Sequence, residues 1–393
     1  MRVAFYAPLK APTHPRPSGD RRMARLLMRA LEMGGHRAAL ASTFRAYDPA
    51  GDPAAQARIA ARGARAAEAL IRRYRALPKA KRPQVWFTYH VYHKAPDHLG
   101  PAVSAALGIP YVVAEPSVAP KRREGKWAKG YAAALHAIGR ADAALCLTSV
   151  DAEGVRPALK RGARLAMLPP FLDGAAFRRA AVQRARRRRA LDAKLPEDAP
   201  RLLAVGMMRP GDKLDSYRVL ARALAKIADR PWRLVVAGDG AARAEVEAAF
   251  APVAGRVLYL GALRPARLPS VYAACDLYVW PGVREAYGMA ILEAQAAGLP
   301  VVAGRGTGVG EVVADGRSGI LVESEDAHGF ARAVAALLDD PERQRRMGTA
   351  ALLHAAARHD ILQAVNRLNE TLAAAARRRG MQRRRGLERE PGR

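Results

Sequence analysis

The chain has 393 residues, 50% of them hydrophobic, with two cysteines and a formal net charge of +30. That length and apolar content suffice for two domains, each with a sizeable core. No apolar run reaches the roughly 18 residues of a spanning helix. Cys146 and Cys275 sit in apolar strand contexts with no pairing pattern, so they read as buried thiols of a reducing compartment.

The charge is unevenly placed. Residues 1–175 hold 29 Lys and Arg against 12 Asp and Glu, residues 178–189 seven Arg and no acid, and residues 201–376 only 21 against 19. The first run, Val3 to Leu9, is too short for a signal peptide and reads as a first strand. Apolar runs predict strands at 3–7, 37–41, 85–89, 111–114, 143–147 and 165–168. Helical periodicity falls at 19–33, 53–76, 98–106, 127–139 and 151–160. Strand–helix alternation implies a parallel sheet covered on both faces, with ligands beyond the carboxyl ends of its strands.

Residues 176–200 carry the Arg-rich run and read as a basic connector. A second alternating series follows, with strands at 202–206, 233–237, 257–260, 277–280, 301–303 and 320–322. Later helices fall near 326–338, 341–356 and 360–378. The fold class is therefore α/β, with a domain over 1–175 and another over 201–358. Residues 377–393, with eight Arg, read as a disordered tail.

Two places could carry chemistry in the first half. Ser18-Gly19-Asp20 follows the first strand and suits either a helix N-cap or a ligand loop. His90 and His93, three apart after the third strand, suit acid/base work or an acceptor contact, or ordinary loop hydrogen bonding. They have no third ligand at diagnostic spacing, so no metal site is expected. In helices 19–33 and 53–76, Arg22, Arg25, Arg29 and Arg58, Arg62, Arg65 form stripes. These are either solvated faces or a docking surface for anionic lipid.

The densest stretch runs from Trp280 to Val313. Pro281 and Gly282 stop a strand, a loop carries Glu285, and Gly288 opens a helix that Gly298 and Pro300 close. A helix N-terminus with small residues around it (Ala286, Gly288, Ala290) admits a diphosphate. Glu285 before the helix can accept hydrogen bonds from sugar hydroxyls, and Glu293 further along can hold a ribose diol. Equally, the two are an acidic loop residue and a solvated helix residue.

Pro281, Glu285, Tyr287, Gly288, Glu293, Ala294, Ala296, Gly298, Pro300 to Ala303, Gly310 and Glu311 to Val313 resemble, in order, the donor signature of retaining family-4 glycosyltransferases of GT-B fold. The resemblance implies two Rossmann-like domains facing across a cleft. It further implies a nucleotide-sugar donor, and an acceptor hydroxyl on a glycan, glycolipid or lipid-linked molecule. Gly206-Met-Met-Arg209-Pro-Gly-Asp-Lys213 is similar to the family's "vGrl…KG" turn, whose Arg and Lys hold the diphosphate; Leu214 stands where Gly is usual. Gly238-Asp239-Gly240 resembles its "GdGp" turn. The resemblance places Gly19, Gly206, Arg209, Lys213, Gly238, Glu285, Ala286, Tyr287, Gly288, Met289 and Glu293 at the donor. Arg209, Lys213, Glu285 and His90 are expected to act in the reaction.

The family places a His after the strand at 111–114, where this chain has Glu115, so His90 or Glu115 is expected to take its part. No Asp-x-Asp occurs, so neither metal nor other cofactor is expected. A helix over 359–376 is expected to cross back to the first domain. The chain is expected in the cytoplasm, with an anionic membrane surface as a peripheral partner. The competing readings are a non-catalytic nucleotide-sugar-binding protein and a basic nucleic-acid binder. Nucleic acid is not expected, because Arg184 to Arg189 and the tail carry no interleaved aromatics.

Overall fold

The computed structural model describes residues 1–16, 18–192, 199–306 and 308–388. The chain divides into two units, one of Met1–Pro169 with Leu362–Arg393, the other of Pro170–Ile361.

The first unit alternates β1 (Arg2–Tyr6), α1 (Gly19–Met33), β2 (Arg37–Ser42), α2 (Pro53–Ala76), β3 (Val85–Val91), α3 (Gly100–Leu107), β4 (Tyr111–Pro116), α4 (Ala128–Arg140), β5 (Ala143–Cys146), α5 (Ser149–Val155) and β6 (Arg164–Met167). All strand pairs are parallel, in the order β2-β1-β3-β4-β5-β6. Helices cover both faces, so β3, β4 and β5 are buried almost throughout, as their continuous apolar runs require. Local chemistry sets the helix ends. Ser18 caps α1 by accepting from the Arg21 N–H, and Asp52 caps α2 just before Pro53. Gly108, at φ +62, ends α3 in the left-handed region.

The second unit opens with α6 (Ala175–Val182) and α7 (Arg184–Asp192). It continues as β7 (Arg201–Val205), α8 (Asp212–Ala225), β8 (Arg233–Ala237), α9 (Arg243–Ala249), β9 (Val257–Tyr259), α10 (Leu268–Ala273), β10 (Leu277–Trp280), α11 (Met289–Ala296), β11 (Val301–Gly304), α12 (Val309–Val312), β12 (Gly319–Val322), α13 (Ala327–Leu338) and α14 (Pro341–Arg358). Its sheet, also wholly parallel, has the order β12-β11-β10-β7-β8-β9. Both sheets are doubly wound. The strand order reverses between β1 and β3 in the first and between β7 and β10 in the second. Loops leaving the two strands at such a reversal diverge and open a crevice.

Two expectations are corrected. Residues 176–200, read as a connector, contain most of α6 and α7, and these belong to the second unit. Arg184 and Arg188, one helical turn apart, both bond Asp276, whose carboxylate also accepts from the Arg201 N–H at 2.7 Å. Residues 193–198 of that stretch lie outside the described residues. The tail read as disordered from 377 is helical through Glu388, in α15 (Ile361–Glu388). Its Ala, Arg, Met and Gln residues are strong helix formers. The helix is tied to the first unit by Asn369 on His36 (2.7 Å), Arg367 on the Met167 carbonyl (3.1 Å) and Arg378 on the Arg161 carbonyl (2.6 Å). Residues 389–393 lie outside the described residues.

Candidate active site

In the second unit, three strand ends are knitted together by backbone. The Gly206 N–H donates to Ala237 O, the Gly238 N–H to Gly261 O and the Met208 N–H to Asp239 O. A Cβ on Gly238 would lie 1.8 Å from Gly206 O, and one on Gly240 would lie 2.1 Å from Met208 O. These positions are glycine because main chains touch there. Gly211, at φ +82, then turns the chain into α8. Leu214, standing where the resembled family has Gly, lies in the first turn of α8 with its side chain buried. The backbone after Lys213 is thus already helical, and the turn's left-handed residue is Gly211.

The loop after β10 folds against the start of α8. The Val283 N–H donates to Ser216 Oγ at 2.9 Å, and Arg284, at φ +49, pairs with Asp212 at 2.7 Å. Behind it, a Cβ on Gly304 would lie 1.8 Å from Pro281 O, and one on Gly308 would lie 1.9 Å from Ala286 O. The glycine-rich run after β11 is therefore demanded by the loop it supports.

This packing brings Lys213, after β7, onto Glu285, after β10. The ammonium and carboxylate form an ion pair. The Trp280 indole N–H donates to the same carboxylate oxygen at 3.1 Å, and Lys213 Nζ lies 5.2 Å from the center of the Trp280 ring. Tyr217 meets Trp280 edge-on at 5.0 Å and donates to Gly206 O at 2.8 Å. Arg209 is exposed, and its guanidinium has no ion pair among the described residues. Ala286 is exposed, while Tyr287 and Met289 are half-buried around Gly288, at φ +73. The first N–H groups of α11, like those of any helix, lack intrahelical partners.

Glu293 lies on α11 but not on a solvated face. It is 1% exposed, and the Tyr272 hydroxyl donates to its Oε2 at 2.8 Å. Burial first, and then the charges of Glu285 and Glu293, hold the Tyr278 phenol far above its ordinary pKa, so it stays neutral.

The first unit builds a second cluster at its own reversal point. Asp20, after β1, reaches His90, at the end of β3, with Oδ1 3.2 Å from Nδ1. On the adjacent β4, Glu115 lies beside His90 in register, between the pairs Tyr89–Ala114 and Val91–Pro116. His90 has φ +63 and Glu115 φ +53, a left-handed backbone that costs a non-glycine residue free energy. Burial alone would lower the His90 pKa, but the charges of Glu115 and Asp20 outweigh it and hold it above its ordinary value. Burial raises the Glu115 carboxyl. For Asp20, burial pulls upward, and His90 overcomes it and lowers the pKa.

His93, expected beside His90, faces elsewhere, edge-on to Trp127 at 5.3 Å. Ser18 is the N-cap of α1 and Gly19 its first residue; a Cβ there would meet nothing within 4 Å, so no internal packing demands glycine. The structure thus brings Gly206, Arg209, Lys213, Gly238, Glu285, Ala286, Tyr287, Gly288 and Met289 into one set of packed loops in the second unit, with Glu293 buried beneath. It places Gly19 and His90 in the first unit. Trp280 and Tyr272 are contributors to which the sequence assigned no role, and Asp20, read only as part of the Ser18-Gly19-Asp20 turn, is the residue of that turn that reaches His90. The only signals were an aromatic closing a strand before Pro-Gly and an acid in a helix's first turn.

Among the described residues, no group of three or more His, Cys, Asp or Glu could hold a metal ion. Burial pushes the thiols of Cys146 and Cys275 up to about 12, so neither is a ready nucleophile. No helix among the described residues is long and apolar enough to cross a membrane.

Residues 199–340, most of the second unit, match the family described as "Glycosyl transferases group 1". A "D-inositol 3-phosphate glycosyltransferase 2" of Catenulispora acidiphila is 40% identical over 172 residues, covering 41% of this chain and 40% of that protein. A D-inositol 3-phosphate glycosyltransferase of Streptomyces avermitilis is 31% identical over 296 residues, covering 70% of this chain and 62% of its own. The chain thus spans less than two thirds of the length of these relatives. Among solved structures, Anabaena HepE in complex with UDP superposes with a TM-score of 0.70 at 16% identity, covering 95% of this chain and all of that one. A glycosyltransferase from Rickettsia africae superposes at 0.73 with 14% identity, covering 95% and 98%. Likeness at such low identity shows the fold: two Rossmann-like domains with parallel sheets, the GT-B architecture.

Proposed function

We propose that this protein is a retaining glycosyltransferase that moves a sugar from a nucleoside diphosphate to an acceptor hydroxyl, without a metal ion. The observation that carries this is the Lys213–Glu285 pair at the strand-order reversal of a glycosyl transferases group 1 domain, with Arg209 exposed on the same turn. The donor's diphosphate competes for Lys213 and gains Arg209. Two cations beside the leaving group stabilise the charge that develops as the glycosidic bond breaks. Glu285, released from Lys213 and still held by Trp280, accepts hydrogen bonds from the sugar hydroxyls. In front-face displacement the departing phosphate takes the acceptor's proton, which matches a site without an activated nucleophile.

A uridine nucleotide is the first donor to test, because the HepE structures hold UDP, UDP with glucose, and UDP-glucose. The relatives named for inositol 3-phosphate support an anionic polyol as acceptor, as does the positive balance of residues 1–175. His90 or Glu115 takes the sugar contact of the missing family histidine. We place the chain in the cytoplasm, with peripheral contact to anionic lipid. The experiment is a thermal-shift panel of UDP-, GDP- and ADP-sugars on the full chain, followed by NMR assignment of the product anomer. Stabilisation by one class and a product of unchanged anomeric configuration support the reading. No stabilisation by any of them, or an inverted product, overturns it.

A further inference from the structure

Several strand ends of the first unit converge on one imidazole. Asp20 comes from the start of α1, after β1, His90 from the end of β3, Glu115 from the end of β4 and Asp151 from α5, after β5. Asp20 Oδ1 lies 3.2 Å from the buried Nδ1 of His90. Tyr92 lays its ring on the imidazole, with 4.8 Å between centers and 30° between planes. A tight turn fixes Tyr92: its N–H donates to Ala95 O at 3.4 Å, and the Ala95 N–H donates back to Tyr92 O at 2.9 Å. The sheet clamps Glu115 beside His90. The pairs Tyr89–Ala114 and Val91–Pro116 flank the two left-handed residues, and beyond them the Ser117 N–H donates to Val91 O at 2.9 Å.

These neighbours are not equivalent. Asp151 is already engaged, accepting from the Thr148 hydroxyl at 2.7 Å. Glu115, near Tyr89, keeps a buried Oε2 with no hydrogen-bond partner among the described residues. A buried carboxylate oxygen without a donor is costly unless a cation stands beside it. The imidazole of His90 is the group that can supply that cation, whereas Lys10 acts on Asp20. The ring is thus held at Nδ1 and covered on one face by Tyr92. Yet 19% of its side-chain surface stays open, and its Nε2 makes no hydrogen bond among the described residues.

We propose that His90 is the group of the first unit that touches the transferred sugar, donating a hydrogen bond from Nε2 to one of its hydroxyl oxygens, and that Asp20 and Glu115 are positioning residues that act through the imidazole. This contact rests on the glycosyltransferase reading and decides between the two residues it left open. Glu115 acts from the neighbouring strand by keeping a cation on the ring, and a charged donor bonds an oxygen more strongly than a neutral one. The charges of Glu115 and Asp20, which outweigh burial and raise the His90 pKa, agree with that division. His90 shares its proton without giving it up, so the acceptor's proton still leaves with the departing phosphate.

The test is the pH dependence of kcat/KM for sugar transfer by the full chain, beside NMR titration of the His90 ring without substrate. The variants are His90→Asn, Asp20→Asn, Glu115→Gln and a control, Glu153→Gln, which removes a charge from an exposed position of α5. Parent activity should fall as pH rises through the His90 pKa, because the cation is lost. In Asp20→Asn and Glu115→Gln this limb and the ring titration should move together to lower pH, by about one unit, and the control should move neither. His90→Asn should lose the limb and about 10–100-fold in kcat/KM, the range for one charge-assisted hydrogen bond. In a series of deoxy donors, the one lacking the contacted hydroxyl should react alike with the parent and His90→Asn. A limb that stays in place while the ring titration moves, or no deoxy donor that levels the two, overturns the contact. A ring that titrates alike in all chains overturns the positioning role. A parent chain that transfers no sugar sinks the glycosyltransferase reading and the contact with it, while the ring titration still decides whether the two carboxylates hold the imidazole.

Discussion

Lys213 and Glu285 meet across the seam where the second unit reverses its strand order, and Trp280 braces the pair from below. Side-chain exposures of 24% and 18% mean that solvent screens much of their attraction. The pair is worth no more than about 1 kcal/mol to the fold. In the proposed reaction its value is in holding a cation and a carboxylate where a nucleotide sugar would replace each partner by its own. Lys213→Ala should therefore leave the melting temperature nearly unchanged while turnover falls about 10²–10³-fold, the usual cost of one preorganised charge donor. Glu285→Gln, which keeps the Trp280 hydrogen bond, should weaken sugar selectivity more than nucleotide binding. Steady-state kinetics with donor hydrolysis as a second readout decides. Unchanged turnover in Lys213→Ala removes the lysine from the reaction.

Glu293 poses a sharper question, because the sequence suggested a ribose ligand and the structure shows a sealed carboxylate under the Tyr272 hydroxyl. Glu293→Ala mixes two effects: it strands a buried hydroxyl, at a cost of about 1–3 kcal/mol, and removes any donor contact. Glu293→Gln separates them, since its amide oxygen still accepts from Tyr272. The expected outcome is a melting temperature close to that of the parent chain with nucleotide-sugar affinity reduced several-fold. Undiminished affinity in Glu293→Gln would make the residue a packing element alone.

Most of this architecture was legible because parallel strands buried on both faces must be continuously apolar; each of the twelve expected strands has its counterpart among the described residues. The glycine-rich turns of the second unit were legible because the glycines at 238, 240, 304 and 308 answer to main-chain contacts, and Gly206 to the Trp280 ring, demands that leave their mark in sequence. What escaped were pairings between distant residues. Nothing in the run from Arg184 to Arg189 shows that two of its arginines will find Asp276, so the run looked like linker charge. Likewise, Glu115 looked like a gap in a family pattern. It is next to His90 only through a register that joins β3 to β4.

The Arg184–Arg188–Asp276 cluster gives a test of that misreading. Arg188 donates to both oxygens of Asp276, at 2.8 and 2.7 Å, and Asp276 leads directly into β10, which ends at Trp280. Arg188→Met should lower the stability of the second unit by about 1–3 kcal/mol, in the range for a charged hydrogen bond with a half-buried partner. Arg186→Met and Arg189→Met, at exposed positions of the same helix, should change it by less than about 0.5 kcal/mol. Urea denaturation of the three variants checks the contrast. Equal, small effects would return α7 to the status of a solvated linker helix.

The Asp20–His90–Glu115 cluster makes the pH dependence of the first unit predictable in sign. His90 has a folded pKa above its ordinary value, because Glu115 and Asp20 outweigh its burial; Asp151 adds to them from α5. A raised pKa means that the folded state holds the proton more tightly than the unfolded chain does. The stabilisation is fully present below about pH 6.5, where both states are protonated, and is lost as pH rises through the folded pKa. Asp20 runs the other way. Its lowered carboxyl stabilises above its unfolded pKa, and that contribution disappears only in acid. Burial raises the Glu115 carboxyl, so its contribution has the sign of the histidine's: it is present in acid and falls as pH rises through the folded pKa. The measurement is the melting temperature of the parent chain minus that of His90→Asn, followed from slightly acidic to alkaline pH. Asparagine suits the left-handed backbone at this position, so the comparison isolates the charge rather than the strain. The difference should shrink as pH rises, and the His90 ring proton should titrate above about 6.5 by NMR. A flat difference, together with a ring that titrates below that value, would show that His90 is neutral at physiological pH and that the two carboxylates do not hold its proton.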